Sequence, residues 1–154
     1  MSETDVKLNG VKGWLLFLCL TLTVLDPSAV LFNLFYITSS ARPHFDRNPE
    51  LFRLILVSGV CRIALMVFSM YAGLSLWKRL PGAPVVAIRY FRAVVLYSVF
   101  VLFLPLLVGV PEDTYREMSG VNSANSMVTV LYVALWYLYM KKSKRVKATY
   151  GSNP

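Results

Sequence analysis

The sequence predicts an all-α integral membrane protein, a four-helix transmembrane bundle with both termini on the cytoplasmic side. Three observations predict it. Four apolar runs, at residues 14–37, 54–77, 89–110 and 121–140, occupy most of the 154-residue chain, and a helix needs ~20 apolar residues to cross ~30 Å of hydrocarbon. Hydrophobic residues make up 56% of the chain and mean hydropathy is +0.57, more apolar surface than a water-soluble domain of this size absorbs. Stretches such as residues 94–110 are apolar on every side, whereas the strands of a membrane barrel alternate with period two. Backbone hydrogen bonds must close internally in lipid, so the spans are helices of one domain.

Residues 1–13 form a short lead-in with a turn at Asn9-Gly10. The first run has a competing reading as a secretory signal, because residues 14–25 match an apolar signal core and Pro27-Ser28-Ala29 resembles a cleavage site. The run resumes through residues 30–37, and Glu3 and Asp5 stand where such a signal is basic, so a span is predicted. The loop at 38–53 carries Ser39, Ser40, Pro43, Asn48 and Pro49, residues that favour turns. The second and third runs are joined by Leu80-Pro81-Gly82-Ala83-Pro84, a break short enough to make them an antiparallel hairpin. Within the third run Pro105 removes a backbone donor and is expected to kink or locally unwind the helix. The fourth run leads into a basic tail at 141–154.

The charges give the orientation. Lys7, Lys12, Lys78, Arg79, Arg89, Arg92, Lys141, Lys142, Lys144, Arg145 and Lys147 fall on one side of four alternating spans, and by the positive-inside rule that side is cytoplasmic. Arg42, Arg47, Arg53 and Arg116 fall on the other side, among Asp46, Glu50, Glu112, Asp113 and Glu117. Trp14, Trp77, Trp136, Tyr137 and Tyr139 cluster at the predicted inner interface, where amphipathic aromatics settle. The net charge of +8 is thereby explained by topology, and nucleic acid is not an expected partner. Membrane lipids are, and a homo-oligomer or a partner membrane protein stay open. The basic residues Lys141, Lys142, Lys144, Arg145 and Lys147 are candidates for contact with anionic lipid, at ~1 kcal/mol per charge near the surface, or serve only to fix the cytoplasmic end.

Asp26 is the sharpest single feature. Counted from Trp14 it lies ~18 Å into the membrane, and Arg62 counted from Trp77 lies ~22 Å from the same interface. An isolated charge at that depth costs at least ~2.5–3.5 kcal/mol, so an Asp26–Arg62 ion pair between the first two spans is expected. Cys19, Asp26 and Asn33 share one helical stripe, and Ser58, Arg62 and Ser69 another. The pair reads either as a structural lock or as a gate, proton site or anchor for an anionic ligand. Asn122, Asn125 and Thr129 run down one face of the fourth span; such a stripe lines a cavity or bonds neighbouring helices. Tyr90 and Tyr97 on the third span add hydroxyls to the interior or face lipid. Cys19 and Cys61 lie at different depths and read as apolar fillers. His44 beside Asp46 is too few ligands for a metal, no cofactor motif is present, and no enzymatic role is expected.

Both ends carry a family resemblance. Residues 136–140, Trp-Tyr-Leu-Tyr-Met, followed by the Ser-Lys-Arg-Val-Lys-Ala-Thr string at 143–149, resemble the closing signature of a bacterial four-span family known as the domain of unknown function 2569. Gly13-Trp14-Leu15-Leu16-Phe17 is similar to its opening signature. The resemblance implies a small bacterial inner-membrane protein with four helices and both termini inside, and it brings no activity with it. The leading expectation is therefore a non-enzymatic accessory or scaffolding protein that binds partner helices or lipids. The alternative is a small-molecule or ion transporter or channel with a polar mid-membrane site formed by Asp26, Arg62, Asn33, Asn122 and Asn125.

Overall fold

Apolar residues without interruption favour helix wherever lipid or packed protein surrounds them, and the helices stop where proline, glycine or clustered polar residues stop them. The computed structural model describes residues 10–44, 49–110 and 112–151, with the backbone alone at 44, 112–115, 117–119, 121 and 122. All regular structure among the described residues is helical. Helix α1 spans Trp14–Ala41, followed by a 3₁₀ turn at Arg42–His44. Helix α2 spans Pro49–Trp77, α3 Ala83–Val108, α4 Glu112–Lys142 and the short α5 Lys144–Tyr150.

Three of these, α1, α2 and α3, are long and apolar enough to cross a membrane, where the sequence predicts four. Helix α4 has the length, at 31 residues, but Asn122, Ser123, Asn125 and Ser126 dilute its apolar character. The expected boundaries also move. Helix α3 starts at Ala83 rather than 89, because Pro84 sits in its first turn, where a fixed φ favours the helix and the missing N–H costs nothing. The local unwinding expected at Pro105 does not occur; α3 runs through it to Val108 and closes at Gly109, whose φ of 80° gives a left-handed cap. There the Pro105 carbonyl accepts the Val110 N–H at 3.0 Å. The tail is not a plain extension either: Lys141 and Lys142 finish α4, and residues 144–150 turn back as α5.

Successive helices pack antiparallel, α1 on α2, α2 on α3 and α3 on α4. The end carrying the 78–82 turn and α5 is called proximal here, and the opposite end distal. The core is proximal. Leu15, Leu18, Cys19, Leu22, Ala72, Leu76, Ala87, Phe91, Val133, Trp136, Met140 and Val146 form one buried cluster. The Trp136 ring meets Trp14 and Phe17 of α1 at 6.4 and 5.9 Å between centroids, edge and tilted contacts of the kind aromatic quadrupoles favour.

Helix α5 closes this end from below. Ser143 caps it by accepting the Val146 N–H, Val146 is buried, and the Tyr150 hydroxyl donates to the Leu76 carbonyl at 2.7 Å. Thr149 bonds Gly10 in both directions, at 3.1 and 3.5 Å, so the two ends of the chain are tied together. Burial pushes the Tyr150 phenol above its ordinary range.

Candidate functional site

The irregular turn of α1 organises the interior. Residues Thr21–Leu25 form a π-turn, in which the Asp26 N–H bonds to Thr21 five residues back. Pro27, the next residue, has no N–H to give. The Leu22 carbonyl, which would take the Asp26 N–H in a regular α-helix, instead receives the Ser69 hydroxyl of α2 at 2.9 Å. Thr21 and Thr23 turn their hydroxyls back onto Phe17 and Cys19 carbonyls, so the widened turn leaves its own polar side chains satisfied. One helical turn beyond Ser69, Gly73 admits the bulge: a Cβ there would stand 2.6 Å from Thr23 Cγ2 and 2.9 Å from Leu22 Cβ.

Beside the π-turn lies a first polar layer. The Asp26 carboxyl accepts the Tyr90 hydroxyl of α3 at 3.2 Å, and its same oxygen lies 3.4 Å from Ser69 Oγ. The Tyr132 hydroxyl of α4 is buried without a partner and interacts electrostatically with Asp26 and Tyr90. A second layer lies distal to it. Arg62 Nε donates to the Tyr97 hydroxyl at 3.0 Å, Arg62 Nη1 donates to Asn33 Oδ1, and the Tyr97 hydroxyl in turn reaches the Ser58 carbonyl at 3.4 Å.

The layers repeat on the same three helices. Asp26 and Asn33, Ser69 and Arg62, and Tyr90 and Tyr97 are each seven residues apart. Because α2 runs opposite to α1 and α3, the shift brings all three second-layer residues to one level, ~10 Å along the bundle from the first.

The expected Asp26–Arg62 ion pair is therefore not formed. The depth count took Trp14 and Trp77 as level, but the contact of Leu22 and Thr23 with Gly73 fixes a register in which Asp26 meets Ser69. Arg62 is left two turns further along. Among the described residues, neither charge has an opposite charge bonded to it.

Arg62 forms the proximal floor of a cavity of about 430 Å³ that runs distally between α1, α2 and α3. Its walls are apolar, with Ile37, Leu54, Ile55, Val101 and Leu104, and Tyr36 and Ser40 stand at its mouth, both exposed. A guanidinium offers five N–H donors. Two are taken by Tyr97 and Asn33, so the arrangement can receive an anion from the cavity side.

The other predicted site residues fall elsewhere. Asn33 bonds Arg62, in place of the Asp26 that the sequence paired with it. Asn125 is exposed and its carbonyl takes the Thr129 hydroxyl at 2.8 Å, and among the described residues none of α4 lines the cavity. The side chains of Asn122 and His44 and all of Asp46 lie outside the described residues. In the tail, Lys141 sits 5.3 Å from the centre of the Tyr137 ring, Lys142, Lys144 and Lys147 are exposed, and Arg145 has one guanidinium nitrogen buried without a partner. Tyr90 and Tyr97, which the sequence leaves between interior and lipid, are the α3 contribution to both layers.

Residues 8–151 match the model of a protein family described as protein of unknown function, DUF2569. The chain belongs to this family. Comparison with curated proteins and with solved structures gives no match. For a DUF2569 protein the polar layers are thus read from their own geometry, with no activity brought from a relative. The signal that would have located them in the sequence is the sevenfold spacing of Asp26/Asn33 and Tyr90/Tyr97, together with Arg62/Ser69 in reverse order.

Proposed function

We propose that this DUF2569 protein is a non-enzymatic, four-span protein of the bacterial inner membrane that binds a hydrophobic organic anion in the cavity above Arg62. The observation that carries the reading is a guanidinium at the floor of an apolar cavity whose bonded acceptors among the described residues, Tyr97 and Asn33, are neutral. A charge at mid-membrane depth costs at least ~2.5–3.5 kcal/mol, and a bound anion would offset that cost while its body covered the apolar walls. The volume of about 430 Å³ lies in the range of small-molecule sites, ~300–1,000 Å³.

The fourth span is α4. Its Val133, Trp136 and Met140 are buried in the same core as α1 and α3, and Lys141 and Lys142 end it on the level of Lys78 and Arg79. Those basic residues support a cytoplasmic proximal end, with the cavity opening to the outside. An accessory role in presenting or retaining an amphiphile fits this geometry. Transport is the second reading, favoured by the π-turn at Asp26, since such turns recur where helices work rather than only pack.

The test uses the protein in nanodiscs of neutral lipid, titrated with decyl sulfonate, an anion with an apolar chain, and with decanol as its uncharged counterpart. The sulfonate raises the unfolding temperature and decanol does not, and Arg62→Gln abolishes the difference. Equal responses to both compounds, or a sulfonate effect that survives Arg62→Gln, sink the reading.

A further inference from the structure

We infer that anion binding at Arg62 is linked to proton binding at Asp26, so that the protein takes up a hydrophobic anion and a proton together. The inference rests on the anion reading above and adds the first polar layer to it. It begins with a count of hydrogens. Ser69 has one hydroxyl hydrogen, and the Leu22 carbonyl at 2.9 Å is its better acceptor. The Ser69 to Asp26 contact at 3.4 Å then contains a hydrogen only when the carboxyl supplies it. With Asp26 protonated, each hydrogen is used once in a chain from Tyr90 to Asp26 to Ser69 to the Leu22 carbonyl. With Asp26 ionised, the carboxylate keeps one donor, Tyr90 at 3.2 Å, and a buried charge so poorly solvated is costly.

The groups facing Asp26 come from three helices. Helix α3 supplies Tyr90 and α4 supplies Tyr132, while α2 supplies Ser69, which is not titratable. No cation is bonded to Asp26 among the described residues. Around Arg62 stand Tyr97 from α3 and Asn33 from α1, and Cys61 is the neighbouring titratable group on α2. Asp26 and Arg62 are therefore the charges that decide the interior balance.

A proton on Asp26 leaves Arg62 as the lone interior charge, and an anion in the cavity neutralises it. Loss of that proton places a second negative charge ~10 Å from Arg62 and, with the anion on the far side of the guanidinium, ~14 Å from the bound anion. At an effective dielectric near 20 this separation corresponds to a coupling on the order of tenfold in affinity, and linkage makes it reciprocal: the anion strengthens proton binding by the same factor. The overall step is Asp26 carboxylate plus a proton giving the carboxylic acid, while the anion pairs with Arg62, so no net charge enters.

Decyl sulfonate is the probe, because it stays ionised at every working pH and any pH dependence belongs to the protein. In nanodiscs its affinity for the wild type rises on the order of tenfold from the alkaline to the acidic side of the Asp26 titration, and Asp26→Asn binds with the acid-limb affinity throughout. Titration of the wild type in weakly buffered solution also registers proton uptake as sulfonate is added, which needs no variant to fold. Binding that ignores pH, or binding without proton uptake, overturns the linkage and leaves the anion site standing. Absence of binding at every pH overturns the anion site and the linkage with it.

Discussion

The proximal and distal halves of this bundle are made from the same helices and the same kinds of apolar residue, yet one is packed and the other is hollow. Proximally, Leu15, Leu18, Leu22, Leu76, Phe91 and Met140 are completely or almost completely buried, and α5 seals the end with Val146 and Tyr150. Distally, Phe32 and Phe35 are 75% and 74% exposed, and the space between α1, α2 and α3 is a cavity over Arg62. Small residues make the difference. Ala72 and Gly73 let α2 close onto α1 at the π-turn, whereas in the distal half Arg62, Tyr97 and Asn33 keep the three helices bridged through polar atoms. Packing thus fixes the register at one end, and that register places a charged, open site at the other.

The contrast can be broken most severely through aromatic bulk. Phe91→Ala empties the proximal core and is expected to cost about 3–5 kcal/mol, while Phe103→Ala, on the same helix but 57% exposed, shifts stability by about 0.5 kcal/mol or less; denaturant titration in detergent separates them. Next in size, Gly73→Ala drives a methyl into Thr23 and Leu22 and costs about 1–3 kcal/mol. Gly59→Ala meets only Leu34 Cδ2, at 3.5 Å, and is neutral or stabilising, since alanine is the better helix former. If both alanines behave alike, the register does not depend on the proximal contact. Ser69→Ala strips the Leu22 carbonyl of its donor and costs about 1–3 kcal/mol, whereas Ser69→Thr, which keeps the hydroxyl, retains most of that stability.

The smallest effect is expected at the proximal seal. Tyr150→Phe removes one hydrogen bond, to Leu76, and costs about 0.5–1.5 kcal/mol. The pH dependence follows from the raised phenol, whose first cause is burial, with Arg79 acting in the opposite direction. Its contribution is complete below the ordinary tyrosine value of 10.0 and is lost as pH rises through the higher folded value. Protease cleavage after Lys147 should therefore accelerate in strongly alkaline buffer in the wild type, and Tyr150→Phe should be cleaved faster at neutral pH with that alkaline increment removed.

Much of this architecture was legible in the sequence and some was not, for identifiable reasons. Hydropathy located α1, α2 and α3 because lipid and core both select apolar residues, whereas the run at 121–140, predicted as a fourth span, is not among the three helices apolar enough to cross, because Asn122, Ser123, Asn125 and Ser126 weaken the same signal. Asp26, Arg62 and Asn33 stand out in the sequence as polar residues within apolar runs, but the structure does not form the expected Asp26–Arg62 pair: depth counted along two helices assumes a common starting level, and Gly73 shifts that level. The π-turn has a local cause in Pro27, yet which carbonyl it frees, and that Ser69 receives it, depends on packing between residues 47 apart. Helix α5 was hidden beneath its charges, since Val146 and Tyr150 between lysines give too little apolar period to announce a docked helix.

The position of Asp26 also sets a timetable for biosynthesis. Its two hydroxyl partners lie 43 and 64 residues further along the chain, so α1 leaves the ribosome carrying a carboxyl group and a freed carbonyl that nothing yet shields. At about 5–20 residues per second, Tyr90 emerges roughly 3–13 s after Asp26. During that interval the first helix waits beside the insertion machinery or passes into lipid with its acid protonated, and the α2–α3 hairpin relieves the cost of that unshielded carboxyl when it arrives.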